Sequence, residues 1–160
     1  MKDSMKLSDL EYGKVLDNIV VGCVDVAVIY QGKILLEKRD KDPIQGHWWI
    51  FGGRVLVGEN LKSTAQRGVQ RELNVYIDDL NRFVQFGVYN LVWPTRREPK
   101  QENGCHHLLI AHLVSLTGLE YKKINDLIDN SPKYSWFDLE ENKLFLPELN
   151  EIVSKIKSTI

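Results

Sequence analysis

Cysteine is scarce. Cys23 and Cys105 are the only two, they lie far apart with no C-x-x-C spacing, and the four histidines form no zinc-finger arrangement. This argues against structural zinc and favours a reducing compartment. No apolar run approaches the length of a membrane span, and the N-terminal MKDSMKLSDLEYGK lacks the apolar core of a signal peptide, so a soluble cytoplasmic protein with no membrane partner is expected. Neither sign of charge dominates: 21 Lys and Arg stand against 22 Asp and Glu, a formal net charge of -1. There is no overall basic field to gather nucleic acid and no acidic tail, so any anion-binding chemistry must be local. Internal repeats and low-complexity segments are also lacking. What remains is an ordinary globular composition, 43% apolar and 27% charged over 160 residues, which fits one domain spanning 1–160 with a real core.

The chain is organised around WWIFGGRVLVGENLKSTAQRGVQRELNV, residues 48–75. A short apolar run, the pair Gly52-Gly53 and a helix-compatible stretch predict strand, tight loop and helix. Leu61, Ala65, Gly68/Val69 and Glu72 recur at spacings of three and four and share the inward stripe of that helix. Glu72 is therefore a carboxylate on a face expected to be apolar, where it needs a pair, a hydrogen bond or a cation. One reading is an internal ion pair with Arg67 or Arg71. The other is a Mg²⁺ corner, with the glycine pair bringing backbone carbonyls close to the helix carboxylate.

Gly53, five residues to Glu59, seven to Arg67, then Glu72 and the aliphatic Val75, resembles the Nudix box, G-x5-E-x7-R-E-U-x-E-E-x-G-U. Departures fall at Gly68 and Arg71, where glutamates are usual, and at Asn74, where the final glycine is usual. Upstream, LLEKR at 35–39, PIQGHWW at 43–49 and GGRV at 52–55 resemble the GDP-mannose mannosyl hydrolase branch, whose box is depleted in glutamates at the same two places. The resemblance covers most of Val21 to Trp136. It implies a Nudix fold of α/β (α+β) class, with a mixed β-sheet sandwiched between α-helices.

In chain order, Ser8 capping Glu11, with Leu10, Val15 and Leu16 on one side, predicts a short helix in a 1–18 extension suited to packing or dimer contact. Together with the family tendency to dimerise, this makes a homodimer the expected state. Val20 to Tyr30, the turn Gln31-Gly32 and Lys33 to Lys38 predict a hairpin. Asp25 interrupts the first strand as either a structural pair or a ligand contact; the resemblance implies a contact to the sugar. Lys38 and Arg39 end the second strand and Arg54 follows the glycine pair, and two arginines at one mouth can clamp a diphosphate. The resemblance gives Arg39 and Arg54 the departing nucleoside diphosphate, and Lys38 and Arg67 are placed with them among the substrate contacts.

Phe83 to Trp93 predicts a strand, and PTRREPKQENG a polar, solvated loop that also has the length of a lid. In the strand predicted over Cys105 to Leu116, His106 and His107 point to opposite faces, so at most one looks into any given cavity. Leu119 to Asn130 has only weak helical or loop character. A short strand is expected around Tyr134 to Phe137, with Trp136 in the core, and a last helix over Pro147 to Ile156, with Leu149, Ile152, Val153 and Ile156 on one side.

Most Nudix enzymes use several box glutamates to hold two or more Mg²⁺ ions for water attack at phosphorus. With two glutamates absent and Arg71 repelling a second cation, one Mg²⁺ per site is the natural inference, held by Glu72, the Gly53 carbonyl and, by resemblance, Asn130. One metal suffices for the reaction of the resembled branch, in which water attacks the anomeric carbon of a nucleotide sugar and GDP leaves. That branch carries a histidine base where this chain has Ser131, which leaves Asp129 or one of His47, His106 and His107 for the role, with Asp129 and His107 the candidates carried forward. Two alternatives stand beside GDP-hexose hydrolysis: pyrophosphohydrolysis of another nucleotide derivative, and a catalytically weak nucleotide-sugar binding or regulatory protein.

Overall fold

A computed structural model describes residues 7–99, 103–129, 131–141 and 145–160. The strands are β1 (Val21–Tyr30), β2 (Lys33–Lys38), β3 (Trp48–Trp49), β4 (Phe51–Arg54), β5 (Val84–Trp93), β6 (Cys105–Ser115) and β7 (Tyr134–Asp138). They form one mixed sheet with β3-β2-β1-β6-β5 as its main path, β4 paired to β1 and β7 paired to β2. The β1–β6 pair is parallel and the others are antiparallel. Gln31 and Gly32, with φ of 46° and 75°, both take the left-handed conformation that a two-residue hairpin between β1 and β2 requires.

Period-two alternation along β1 decides which core each residue joins. Val21, Cys23, Ala27 and Ile29 enter one apolar cluster; Val24, Val26 and Val28 enter the other. The first cluster is closed by Leu16 of helix α1 (Asp9–Asn18) and by Leu149, Ile152 and Ile156 of helix α4 (Pro147–Lys157). The second is closed by Ala65, Val69 and Leu73 of helix α2 (Leu61–Leu73) and by Ile124 and Ile128 of helix α3 (Gly118–Ile128). The chain is thus an α/β fold with a mixed sheet between helices, as expected.

Four local expectations change. Gly52 and Gly53 lie inside β4, opposite Asp25 and Val24, and not in a loop, because the ladder to β1 captures them. The stretch expected to have only weak helical or loop character is helix α3, started by a capping box in which Thr117 and Glu120 each satisfy the other's backbone N–H. On α1 the inward line runs through Tyr12, Gly13 and Leu16, while Leu10 is exposed. Arg96, expected to be solvated, has its side chain fully buried: it donates to Asp17 Oδ1 and to the carbonyls of Glu98, Pro99 and Gly104. Those oxygens replace the water the guanidinium loses and tie the loop after β5 to α1.

Candidate active site

At one end of the sheet lies a cavity of about 480 Å³. It is lined from the sheet by Asp25 of β1, Glu37 of β2, Trp49 of β3, Gly52, Gly53 and Arg54 of β4 and His107 of β6, by Arg39, Glu72 and Lys133 beside them, and from the other elements by Tyr12 and Leu16 of α1 and by Arg96, Arg97 and Glu98. The Arg54 guanidinium stacks over the Tyr12 ring at 4.4 Å, which fastens α1 to the cavity mouth.

The densest charge lies where β2, α2 and β7 converge. Glu37 is 4% exposed. Its Oε1 accepts from Arg39 Nη1 at 3.0 Å, and its buried Oε2 faces Lys133 Nζ at 3.2 Å. Glu72, in the last turn of α2, accepts from Arg71 Nε at 2.8 Å and lies 3.5 Å from the same Lys133 Nζ. Backbone bonds put the lysine there. Lys38 N donates to Lys133 O at 2.7 Å, and Tyr134 Oη donates to the Glu72 carbonyl at 3.3 Å. Burial alone would favour the neutral amine, but the charge and hydrogen bond of Glu37 outweigh it and hold Lys133 above the ordinary lysine range.

Asp25 lines the same cavity, with its Oδ2 accepting from Trp49 Nε1 at 2.9 Å. Burial pushes its carboxyl up to about 6, against the opposing pull of the Trp49 hydrogen bond and the Arg39 charge. His107 lines the same cavity, and burial holds its imidazole below the ordinary value, so the neutral, proton-accepting form prevails at pH 7. Its neighbour His106 points away and bonds Asn90, while His47 is exposed outside the cavity.

Of the residues singled out from the sequence, Asp25, Arg39, Gly53, Arg54, Glu72 and His107 therefore meet in one cavity. Lys38 and Asp129 do not reach it: each is exposed at the end of its own element. Arg67 is turned to the loop between β4 and α2, where it grips Glu59 with Nε–Oε1 of 2.6 Å and Nη2–Oε2 of 2.8 Å, and donates to the Arg54 carbonyl at 2.9 Å. Asn130 lies outside the described residues. Sequence reasoning missed Glu37, Trp49 and Lys133. An acid ending the apolar run Ile34-Leu35-Leu36 was a signal for the first, but Lys133 carries none, since only strand pairing brings it beside two carboxylates.

The donor set does not present a metal cage. Among the described residues no group of three or more His, Cys, Asp and Glu converges. Each Glu72 oxygen faces a side-chain cation, and Arg71 Nη2 donates to the Gly52 carbonyl at 2.8 Å, so its guanidinium lies along the glycine pair. A Mg²⁺ ion at Glu72 would have to displace both Arg71 and Lys133.

Comparison with known proteins agrees with this architecture. The curated low-salt glycan biosynthesis protein Agl8 of Haloferax volcanii is 28% identical over 85 residues, 53% of this chain, and the match spans about half (54%) of that relative's length. The MutT Nudix hydrolase of Burkholderia pseudomallei superposes with a TM-score of 0.62 at 21% identity, covering 85% of this chain and 96% of that one. The Nudix domain of Shewanella oneidensis NrtR, solved in complex with ADP ribose, gives 0.57 at 13% identity, covering 89% of each chain. The family model described as the NUDIX domain matches residues 22–156, and with that match over most of its length the chain belongs to the Nudix family.

Proposed function

We propose that the protein hydrolyses a nucleoside-diphosphate sugar, GDP-mannose or a related GDP-hexose, at the anomeric carbon, releasing GDP and the free sugar. The observation that carries this reading is the meeting of Arg39 and Arg54 with the Asp25–Trp49 hydrogen bond and His107 in one cavity. Cations lining a cavity suit a diphosphate, and a buried carboxyl suits sugar hydroxyls. The similarity to a glycan biosynthesis protein points the same way. Nudix hydrolases in general use divalent cations, but the donors described in this cavity are engaged by side-chain cations and do not fit the one Mg²⁺ per site that the sequence implies.

In the reaction a water oxygen bonds to the sugar C1 while the bond from C1 to the phosphate oxygen breaks, and that oxygen leaves with the diphosphate. Arg39, Arg54 and Lys133 offset the charge that grows on the leaving group. His107 Nδ1 or Nε2 takes the proton lost by the water. Anion-exchange chromatography after incubation with GDP-hexoses, UDP-hexoses and ADP-ribose tests this. Nucleoside diphosphate plus free sugar supports the reading, and nucleoside monophosphate replaces it with cleavage at phosphorus. No turnover, with ligand-dependent stabilisation, supports a binding or regulatory protein, a second reading favoured by the hold of Arg71 and Lys133 on Glu72.

The partner in this reading is a small nucleotide sugar and not a nucleic acid, and the working state is a homodimer. Sedimentation showing only monomer removes the last of these.

A further inference from the structure

The charged cluster of the cavity pairs its acids with side-chain cations. Three side-chain cations, Arg39, Arg71 and Lys133, meet the carboxylates of Glu37 and Glu72, with Asp25 in electrostatic reach of Arg39, Glu37 and Arg71, so side-chain cations already balance the acids before any ion is added. Lys133 is the hinge of the arrangement. One ammonium stands 3.2 Å from one carboxylate and 3.5 Å from the other, bridging two acids that come from different elements. Two carboxylates drawn toward one point is what a magnesium ion asks of a protein that leaves its remaining positions to water and phosphate oxygens. Here the point is taken by a covalently attached charge.

We propose that Lys133 takes the place of a divalent cation in this site, so that the pocket binds the diphosphate group of its ligand through side-chain cations and without a metal ion. Three observations carry it. Glu37 is buried, with Arg39 on its Oε1, and its Oε2, which has no hydrogen-bond donor of its own among the described residues, has the Lys133 ammonium 3.2 Å away to offset its burial. Both Glu72 oxygens face side-chain cations, and the Arg71 guanidinium lies along the glycine pair, donating to the Gly52 carbonyl. The lysine is also positioned by the fold itself: its carbonyl accepts from Lys38 in the β2–β7 ladder, and the residue after it is anchored to the end of α2. A divalent ion entering between Glu37 and Glu72 would meet Lys133, Arg71 and Arg39 at contact range, and repulsion from three cations opposes it. With one N–H toward each carboxylate, the ammonium keeps its third donor for a phosphate oxygen.

The nucleotide part of this inference rests on the diphosphate reading above; the metal part stands without it. The test uses the full chain in two measurements. Mn²⁺ binding is followed by electron paramagnetic resonance for the wild-type protein and for Lys133→Met, and GDP binding is followed by calorimetry for both, in EDTA and again in Mn²⁺. The expected result is that wild type shows no Mn²⁺ site tighter than about millimolar and binds GDP equally well in EDTA and in Mn²⁺. Lys133→Met is expected to bind Mn²⁺ at least tenfold more tightly than wild type, to lose at least tenfold in GDP affinity in EDTA, and to regain it with Mn²⁺. Lys133→Arg, which keeps the charge, is expected to behave as wild type and serves if the methionine variant fails to fold, since a tight Mn²⁺ site in it would overturn the proposal. A micromolar Mn²⁺ site in the wild-type protein, or GDP binding that disappears in EDTA, overturns it as well. If GDP binds to no form under any condition, the diphosphate reading fails, while the Mn²⁺ titrations of wild type and the methionine variant still decide the role of Lys133.

Discussion

Gly52 stands directly opposite Asp25 in the β1–β4 ladder, and a Cβ on Gly52 would overlap both the Asp25 carboxylate and the Val24 carbonyl. The glycine is what lets a carboxyl lie flat against β4 and reach Trp49. Gly52→Ala must push β4 away or turn Asp25 out of the cavity, so it is expected to lower unfolding free energy by about 3 kcal/mol, as overpacking of a tight site does. Denaturant titration checks this. A change within 0.5 kcal/mol, as at an unremarkable surface site, would mean that the ladder yields freely.

Asp25 makes stability depend on pH in a direction opposite to most carboxylates. Its carboxyl is raised from 3.8 to about 6, so between those values the folded protein holds a proton that the unfolded chain has released. Stability is therefore highest below about pH 4 as far as this group is concerned, and falls as pH rises through 6, by about 3 kcal/mol in all. Asp25→Asn keeps an acceptor for Trp49 and removes the titration. Urea midpoints taken from pH 4 to 7 are expected to drop less with rising pH in the variant than in the wild type; parallel curves would refute the assignment.

Glu59 and Arg67 form the two-bond clamp that closes the loop before α2. The Arg67 hydrogen bonds, opposed by burial, hold the Glu59 carboxyl at about 2. Its contribution is present above the unfolded value of 4.5 and is lost as pH falls toward 2. A double-mutant cycle of Glu59→Gln and Arg67→Ala is expected to show a coupling of about 1–2 kcal/mol at pH 7 that shrinks progressively as pH falls from 4.5 toward 2.

Arg96 and Arg97 are neighbours in sequence with opposite circumstances. The Arg96 side chain is fully buried on Asp17 and three carbonyls, whereas that of Arg97 is 52% exposed beside Glu98 and Asp9. Arg96→Ala leaves buried oxygens without their donor and is expected to cost about 3–5 kcal/mol. Arg97→Ala is expected to fall within about 0.5 kcal/mol. Thermal melts of the two variants separate them, and equal effects would mean the loop is not held as described.

His107→Gln tests the proposed base. With the imidazole neutral at pH 7, its removal is expected to lower kcat by about 10²–10⁴-fold while KM changes little. In the wild type, kcat should fall as pH drops below the depressed histidine value, and that acid limb should vanish in the variant. An acid limb that survives the substitution would send the role elsewhere.

Much of this was legible in the sequence because it is local. The hairpin at Gln31-Gly32, the helix over Leu61–Leu73 and the last helix rest on turn chemistry and three-to-four periodicity, which neighbours in the chain carry. Asn74 is an example: it stands where the resembled motif has glycine and takes φ of 52°, a conformation asparagine tolerates. Helix α3 is firmer than its polar composition suggests because the capping box from Thr117 to Glu120 starts it.

Sequence by itself determined the inward faces of α2 and α4 and the β1–β2 hairpin, since neighbours in the chain carry those periods, and the resemblance to the Nudix box implied that Asp25, Arg39, Gly53, Arg54 and Glu72 share one region. Only the tertiary structure decided how the charges are partnered. Arg67 goes to Glu59, Arg71 to Glu72 and the Gly52 carbonyl, and Lys133 to Glu37 and Glu72. The physical reason is that an ion pair forms between the groups that packing brings within a few ångströms and removes from water. For Lys133 and Glu37, 96 positions apart in number, that proximity exists only once β7 has paired with β2.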